Sequence, residues 1–401
     1  MPSLSTMNRR TSAFLLALVL ALGACSSEEP IATTTAPTTS STTTSTLPTT
    51  TTSVAPVSVE GAPPALVALI DDFYTFAAGG STTAPPAPEH VIAGIEPAAF
   101  DAPREGGASV ANFADQQVAV VAMAGDVFLA VEDGGGWRIA GGEWPSLGIE
   151  AYFGQGPRHM VVVGSDARPG QDVASSRADS IHFVALDGEG SGAVVGLPRD
   201  SFLPLPGGGR TKITNSLSLG GPEMLMGALE ELTALPFEGY VMTGFAGFEA
   251  LLGEVLGGVS VEVPFAINDR WAHVDLAAGL QMLDGAQALG FARARKTVPG
   301  GDFARSEHQG MLLIAAAGVV KSAGLLAIPE LMELSEPHLV TDLTPEQLLT
   351  YSAMAASAEI EEGDNIVAPG SPGSAGGASV VFLHDSAADL WADLADGTLE
   401  D

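Results

Sequence analysis

Two arginine–aspartate pairs lie close together in the segment GSDARPGQDVASSRADSIHF, residues 164–183. Asp166 stands two residues before Arg168, and Arg177 stands two residues before Asp179. A pair of this kind is usually a surface ion pair that adds little to stability. The same residue types also bind a phosphate group and a divalent cation together, because guanidinium groups grip phosphate oxygens and carboxylates hold hard cations. The distribution of charge along the chain decides between these interpretations.

Basic residues are scarce in this protein, and they cluster around the two pairs. The 401 residues include 48 acidic side chains but only 16 lysines and arginines, a formal net charge of −32. Between residues 158 and 305 lie 11 of those 16, namely Arg158, Arg168, Arg177, Arg199, Arg210, Lys212, Arg270, Arg293, Arg295, Lys296 and Arg305. Several arginines on separate loops suit a pyrophosphate better than a carboxylate. Nucleic acid is not an expected partner, since the chain is strongly acidic and its sequence shows no basic stripe.

The carboxylates beside these arginines predict a bound divalent cation. Mg²⁺, or Mn²⁺ in its place, prefers a few carboxylates together with phosphate oxygens of the substrate. Zinc is not predicted, because the seven histidines are scattered without metal-ligand spacing. The sequence also lacks a Gly-x-Ser-x-Gly elbow and a Walker-type loop. We therefore expect a phosphate site that is built without a Walker-type loop.

The pattern of strands and helices predicts where these residues lie. Unbroken apolar runs at 160–164, 180–186 and 193–197 are typical of strands covered on both faces. Helices are predicted at 222–233, 245–256, 284–291 and 302–321, with Asp284 and Asp302 as caps of the last two. This order predicts an α/β fold, an α-β-α sandwich around a mostly buried central sheet. The charged residues then fall at strand ends, where such folds build ligand sites.

The N-terminal region predicts an exported and tethered protein. Arg9 and Arg10 precede an apolar run that is too short to span a bilayer and ends at Cys25 in a sequence that looks like a bacterial lipobox. We expect residues 1–25 to be a lipoprotein signal peptide, with Cys25 lipidated and the protein held at the outer face of the cytoplasmic membrane. The Ser/Thr-rich residues 26–60 predict a disordered tether.

Two folded parts are expected after the tether. A small α+β accessory domain is predicted at 61–150, with a helix at 65–79 and β-strands after it. The main domain is predicted at 155–401 and carries the charged cluster. The sequence suggests no role for the accessory domain.

Seven motifs of the main domain resemble, in order, those of the LytR-CpsA-Psr family of cell-wall glycopolymer transferases. They read GSDAR, SSRADSI, GLPRDSF, RTKITNSLSLGGPE, LGGVSVEVP, LDGAQALGFARAR and GDFARSEHQ. The resemblance is strong over 155–330 and weaker towards the C-terminus. It implies the α-β-α sandwich of that family and binding of a polyprenyl-linked phosphate or pyrophosphate with Mg²⁺. Thr214 departs from the pattern, because many members have Asn there and Asn215 is displaced by one.

The predicted site follows from the charge distribution and from the resemblance. Asp166 and Asp179 are expected to hold the metal, and together with Arg199 and Asp200 they form the predicted catalytic set. The residues predicted to bind the pyrophosphate are Arg168, Arg177, Arg199, Lys212, Arg293, Arg295, Arg305 and Gln309. Asp179 and Asp200 are both candidates for the general base, and spacing alone does not choose between them.

The resemblance implies transfer of a glycopolymer from a polyprenyl-pyrophosphate carrier to peptidoglycan, with formation of a phosphodiester. Two alternatives stay open on the residues alone, a non-catalytic polyprenyl-phosphate carrier or sensor and a polyprenyl-pyrophosphate hydrolase, because all three must hold the same group. The lipid tail requires an apolar groove. Apolar helix faces near 224–232 and 311–327 are candidates for it, although such faces are more often core.

Overall fold

The computed structural model describes residues 55–100 and 102–399. The predicted signal peptide, Cys25 and the tether as far as residue 54 lie outside the described residues. Residues 57–60, which we placed in the tether, form a β-strand in the structure. Among the described residues no single helix is long and apolar enough to cross a bilayer. One helix pair, Asp302–Ala323 with Leu325–His338, has the combined length and apolar composition of a membrane span, but the two helices are bent by 103° relative to each other.

The first part of the structure is a six-stranded sheet, called sheet 1, with two helices. Its elements are β1 Val57–Glu60, α1 Pro64–Ala77, α2 Glu89–Gly94, β2 Arg104–Phe113, β3 Gln116–Met123, β4 Asp126–Glu132, β5 Trp137–Trp144 and β6 Ile149–Tyr152. The strands lie in chain order, and every neighbouring pair is antiparallel except β1 with β2. The predicted helix at 65–79 and the predicted strands after it are therefore confirmed.

The second part is built around another six-stranded sheet, called sheet 2. The strands that follow in the chain are β7 Arg158–Ser165, β8 Ala178–Leu186, β9 Gly192–Gly196, β10 Phe202–Pro204, β11 Arg210–Lys212, β12 Phe237–Thr243, β13 Val259–Val263, β14 Ile267–Asp269, β15 Val274–Leu276, β16 Gly279–Leu283, β17 Val340–Thr341, β18 Asn365–Val367, β19 Gly370–Ala375 and β20 Ala378–Leu383. Sheet 2 has the order β17-β12-β7-β8-β9-β18, and the remaining strands form two-stranded ladders.

The helices of the second part are α3 Ser216–Thr233, α4 Phe245–Ala250, α5 Gly285–Arg293, α6 Asp302–Ala323, α7 Ile328–Ser335, α8 Pro345–Ser357 and α9 Ser386–Asp393. A π-helical turn, Leu251–Val255, continues α4. The Asp284 cap is confirmed, because its carboxylate accepts from the Gln287 backbone in a complete capping box. The helical segment 222–233 is also confirmed as the straight part of α3, after a break at Gly220 and Gly221.

The layers explain why the predicted strands are apolar throughout. One face of sheet 2 packs on α3 and α9, and the other packs on α6, α7 and α8. All five residues of β9 are buried, as are seven of the nine in β8. The predicted α-β-α sandwich is thus confirmed, although β7, β8 and β9 are antiparallel neighbours joined without α-helices between them.

Sheet 1 is covered on both faces in the same way. Val118 and Val120 of β3 face a cluster shared with α7, α8 and sheet 2, whereas Ala119 and Val121 face α1. This alternation follows from the two-residue period of a strand. Sheet 1 therefore shares a hydrophobic core with the helices of the second part. The division predicted between 61–150 and 155–401 stays a prediction.

One arginine of the basic cluster connects elements far apart in the chain. Arg158 is 5% exposed, and its Nε and Nη2 donate to the two carboxylate oxygens of Glu238 at 2.6 and 2.7 Å. Its Nη1 donates to the Phe153 carbonyl and the Thr350 hydroxyl. Arg158 therefore joins β7, β12 and α8, and it contributes to the fold rather than to the charged cluster.

Replacing Arg158 with leucine is expected to lower the free energy of unfolding by about 3 kcal/mol, because Glu238 would lose its partner in a mostly buried setting. Urea denaturation followed by circular dichroism measures this change. Arg210→Leu is the control, because the exposed Arg210 side chain donates one hydrogen bond to the Phe202 carbonyl at the surface. Its loss should lower the free energy of unfolding by about 0.5 kcal/mol or less. Equal losses in the two variants would contradict the structural role of Arg158.

Candidate active site

The order of the strands brings the predicted site residues to one edge of sheet 2. Because β8 is antiparallel to both β7 and β9, the end of β7, the start of β8 and the end of β9 meet there. Asp166 follows β7, Asp179 is the second residue of β8, and Arg199 follows β9. Asp179 and Arg199, which lie at the ends of different strands, thus become neighbours.

An ion cluster occupies this edge. Arg199 contacts Asp179 at 2.5 Å. Asp302 lies among three guanidinium groups, at 3.0 Å from Arg305, 3.6 Å from Arg295 and 3.9 Å from Arg199. Three cations therefore share two carboxylates, and the cluster carries an excess of positive charge. That excess is suited to a bound anion.

Asp302 is the residue that our sequence interpretation assigned wrongly. We expected it to cap α6, but Gly301 is the N-cap, with φ of 60°, and Asp302 is the first helical residue without a capping hydrogen bond. Its carboxylate faces the arginines instead. The spacing of Asp302 and Arg305, three residues apart on one helix face, was the signal that could have shown this.

Burial sets the electrostatics of the cluster. The Arg305 side chain is 7% exposed, and burial lowers its pKa to about 10, with Asp302 acting in the opposite direction and Arg199 adding repulsion. Arg305 therefore remains a cation at neutral pH. Among the described residues, Asp179 Oδ1, Arg199 Nε and Arg305 Nε are buried and have no hydrogen-bond partner. Polar atoms of this kind are costly unless a ligand or water satisfies them.

The start of α6 is positioned by a close approach to sheet 2. A Cβ at Gly196 would lie 2.3 Å from the Ser306 hydroxyl, so a side chain there would push α6 away. Burial lowers the pKa of His182 to about 4, so this imidazole is neutral. Its Nε2–H then donates to the Ser306 carbonyl at 2.9 Å. These two contacts place Arg305 over the strand edge, where its Nη2 also donates to the Asp179 carbonyl at 3.3 Å.

A single carboxylate fixes the loop that carries Arg295. Asp269, which is 1% exposed, accepts from the backbone N–H groups of Trp271 and Ala272 through Oδ1 and from those of Arg295 and Lys296 through Oδ2. Burial acts to raise the pKa of Asp269, but the four backbone hydrogen bonds outweigh it and the pKa is lowered. The anion therefore persists and holds the loop rigid.

Gln309 and Arg293 lie on the cavity side of this loop. Gln309 Nε2 donates to the Ala292 carbonyl at 2.9 Å, which ties α6 to the end of α5. The Arg293 guanidinium lies 4.6 Å from the centre of the Phe245 ring. Both side chains line the cavity described next.

The charged cluster opens into a cavity of about 510 Å³ with mostly apolar walls. Its polar end is lined by Asp179, Arg199, Arg293, Arg295, Arg305 and Gln309. The rest is lined by side chains of α4, its π-helical turn, α6 and α7, such as Phe248, Leu252, Leu313 and Met332. The candidate helix face near 311–327 therefore does form part of an apolar cavity. The face near 224–232 does not, because α3 packs into the core on the opposite side of sheet 2.

Other predicted residues lie outside the lining of this cavity. Arg177 donates from Nε and Nη2 to Asp166 Oδ2 at 2.9 and 2.7 Å, and this contact raises the pKa of Arg177. Lys212 lies 3.1 Å from Asp200. Arg168 is exposed. The structure thus separates these outer residues from an inner cluster that lines the cavity, formed by Asp179, Arg199, Arg295 and Arg305. The roles of the outer residues in binding stay predictions.

The donor set fits a divalent cation only in part. Within residues 55–100 and 102–399 no group of three or more histidine, cysteine, aspartate and glutamate side chains is arranged to hold a metal. Asp179 Oδ1 is available, whereas Asp166 is engaged by the Arg177 backbone through Oδ1 and by its guanidinium through Oδ2. Such a set fits Mg²⁺ that takes most of its ligands from phosphate and water. The metal roles of Asp166 and Asp179 stay predictions.

Asp269→Asn is expected to loosen the loop at Arg295, because the amide nitrogen leaves two backbone donors without an acceptor. Hydrogen exchange of the amides at 295–296 should become about tenfold faster or more, which hydrogen–deuterium exchange measures. Asp187→Asn is the matched control, since Asp187 accepts three backbone N–H groups in a different turn. Unchanged exchange at 295–296 in Asp269→Asn would contradict this role.

Solved structures share this fold. The crystal structure of Bacillus subtilis TagV superposes with a TM-score of 0.51 at 24% sequence identity, over 61% of this chain and 99% of that one. A protein of Streptococcus agalactiae superposes with a TM-score of 0.53 at 17% identity, over 61% of this chain and 90% of that one. Identities this low show the fold alone.

Curated relatives are similar over about half of this chain. Corynebacterium glutamicum LcpB, named a probable cell wall biosynthesis protein, is 31% identical over 192 residues, 48% of this chain and 45% of that protein. Bacillus subtilis TagV, named a polyisoprenyl-teichoic acid–peptidoglycan teichoic acid transferase, is 32% identical over 177 residues, 42% of this chain and 45% of that protein. The chain thus spans about half the length of these relatives.

The family model that matches this chain covers the whole of sheet 2 and the charged cluster. It is that of the LytR_cpsA_psr family, and the match runs over residues 148–395. Its bounds are close to those of the main domain predicted at 155–401. With this match, and with the fold and the motifs around the cluster, the chain belongs to the LytR-CpsA-Psr family.

Proposed function

We propose that this protein transfers a glycopolymer from a polyprenyl-pyrophosphate carrier to peptidoglycan, in a Mg²⁺-dependent reaction that forms a phosphodiester. The observation that carries the proposal is the position of the arginine cluster at one end of an apolar cavity. A ligand that fills both must have an anionic head and a long apolar tail. A polyprenyl pyrophosphate has this form.

The similarity to named transferases supports the same reaction. TagV of Bacillus subtilis is named for moving teichoic acid from a polyisoprenyl carrier to peptidoglycan, and LcpB is named for cell wall biosynthesis. The polymer carried here is a separate matter, because the alignments cover less than half of those two proteins. We therefore propose the reaction class and leave the glycopolymer unassigned.

In the proposed reaction Arg199, Arg295 and Arg305 bind the pyrophosphate. The protein acts mainly by positioning the reacting groups and by stabilising charge. A peptidoglycan hydroxyl attacks the phosphorus that bears the polymer, and the bond from that phosphorus to the polyprenyl phosphate oxygen breaks. Arg199, Arg295 and Arg305 stabilise the charge that develops on the phosphoryl oxygens. Polyprenyl phosphate leaves with the electron pair of the broken bond.

The contacts of the two candidate bases favour Asp179 as the acceptor of the hydroxyl proton. Asp179 Oδ1 has no hydrogen-bond partner among the described residues. Both carboxylates have an ion-pair partner, Arg199 for Asp179 and Lys212 for Asp200, but Asp200 lies outside the cavity lining whereas Asp179 is part of it. A free carboxylate oxygen beside the phosphate site is what a general base requires.

Mg²⁺, or Mn²⁺, bound with the pyrophosphate would neutralise part of its charge. Asp166, on releasing Arg177, and Asp179 would be its protein ligands, with Asp179 binding through the carboxylate oxygen that does not accept the proton. A lipid anchor at Cys25 would keep the protein at the outer face of the cytoplasmic membrane, where both the lipid carrier and peptidoglycan are found.

The test uses the purified full chain with a polyprenyl-pyrophosphate-linked oligosaccharide, Mg²⁺ and peptidoglycan. Mass spectrometry of the digested wall should detect a new phosphodiester-linked sugar. Asp179→Ala, Arg199→Ala and chelation by EDTA should each reduce its formation by about a hundredfold or more, the usual range for losing an acid–base or electrostatic group. Arg210→Ala, which alters a surface arginine outside the cavity lining, is the control and should leave transfer unchanged.

Other results would lead to a different function. Release of the oligosaccharide phosphate without peptidoglycan would indicate a hydrolase. Tight binding of the intact lipid without turnover, across several donor lipids, would indicate a carrier or sensor. Either result would overturn the transferase while leaving the lipid-binding site in place.

A further inference from the structure

The short helix α7 lies between sheet 1 and part of the apolar cavity. Ile328 and Met332 of α7 are 1% and 4% exposed. They share a buried cluster with Phe113, Val118 and Val120 of sheet 1. The same two side chains also line the cavity. The wall between sheet 1 and this part of the cavity is therefore one helix thick.

Polar contacts on the sheet 1 side fix the position of α7. Glu333 Oε1 accepts from the backbone N–H and the side-chain amide of Asn112, both at 3.3 Å. Glu336, just after the helix, accepts from the backbone N–H of Ala114 at 3.1 Å. These exposed contacts set the orientation of the helix, and the apolar packing supplies most of the stabilisation.

The cavity side gives α7 much less support. Close-packed neighbours hold a helix in place, and a cavity lacks them. At its N-terminal end α7 follows a bend of 103° from α6, near Gly324, whose φ is 80°. Sheet 1 therefore resists outward movement of α7, together with α8, which belongs to the same buried cluster.

From this arrangement we infer that sheet 1 sets the length of the lipid tail that the cavity accepts, by holding α7 at a fixed distance from α6 and β7. The inference rests on the proposed function, since it takes a polyprenyl phosphate as the ligand. It gives the accessory sheet a role in substrate selection. The residues of sheet 1 that face α7 are positioning residues, because they act on the lipid through the helix.

Adjacent residues of β3 allow a matched test. Val120 and Val121 are both fully buried. Val120 belongs to the cluster that includes α7, and Val121 belongs to the cluster on the opposite face with α1. A larger side chain at Val120 should move α7 into the cavity, and the same change at Val121 should act on α1 instead.

The experiment measures the Kd of undecaprenyl phosphate and of farnesyl phosphate for the full chain, for Val120→Phe and for Val121→Phe. Val120→Phe is expected to weaken binding of the long lipid about tenfold, the effect of excluding roughly two methylene groups. Binding of the short lipid should change by about twofold or less, and Val121→Phe should leave the ratio of the two constants unchanged. If a phenylalanine variant does not fold, Val120→Leu and Val121→Leu make the same comparison.

Two results would overturn the inference while leaving the proposed function intact. One is an equal effect of the two variants, which would indicate a general loss of stability. The other is an equal weakening of both lipids by Val120→Phe, which would indicate a damaged head-group site. If the unaltered protein binds neither lipid, the proposed function fails and the inference fails with it.

Discussion

Repulsion among three guanidinium groups is the constraint on which the site depends. Arg199, Arg295 and Arg305 come from a strand end, a loop and a helix, and each lies within 4 Å of Asp302. Without this shared carboxylate, the like charges of the three arginines would repel one another in a partly buried setting. Asp302 holds them together but does not neutralise them. The positive charge that remains is the feature on which the proposed phosphate site depends.

Supporting contacts make this arrangement rigid before any ligand arrives. Asp269 fixes the loop of Arg295 through four backbone N–H groups, and His182 with Gly196 fixes the start of α6. A preorganised set of cations stabilises developing charge without a cost of reorganisation. The apolar cavity behind the cluster lowers the local dielectric and strengthens these interactions. Its outer wall, α7, packs in turn on sheet 1, so the accessory sheet supports the wall of the cavity.

Much of the fold could be predicted from the sequence, because strands and helix starts are recorded in local residue patterns. The apolar runs of β7, β8 and β9 predicted a buried sheet, and Asp284 predicted the start of α5. Where the prediction was wrong, one sequence pattern is compatible with two different structural roles. An aspartate at the start of a helical run caps the helix or, as Asp302 does, faces cations on a neighbouring element. An apolar stripe packs in a core, as that of α3 does, or lines a cavity, as part of α6 does, and the stripe alone does not tell the two apart.

The sequence by itself determined which residues were available for chemistry, because a chain so poor in cations shows where they are kept. It also determined the buried strands and the family motifs. Only the tertiary structure decided which cations face the cavity. Arg158 pairs with Glu238 and supports the fold, Arg177 pairs with Asp166 outside the cavity, and Arg305 faces it. The reason is that burial and ion pairing depend on groups brought together from distant parts of the chain, and no local pattern records that proximity.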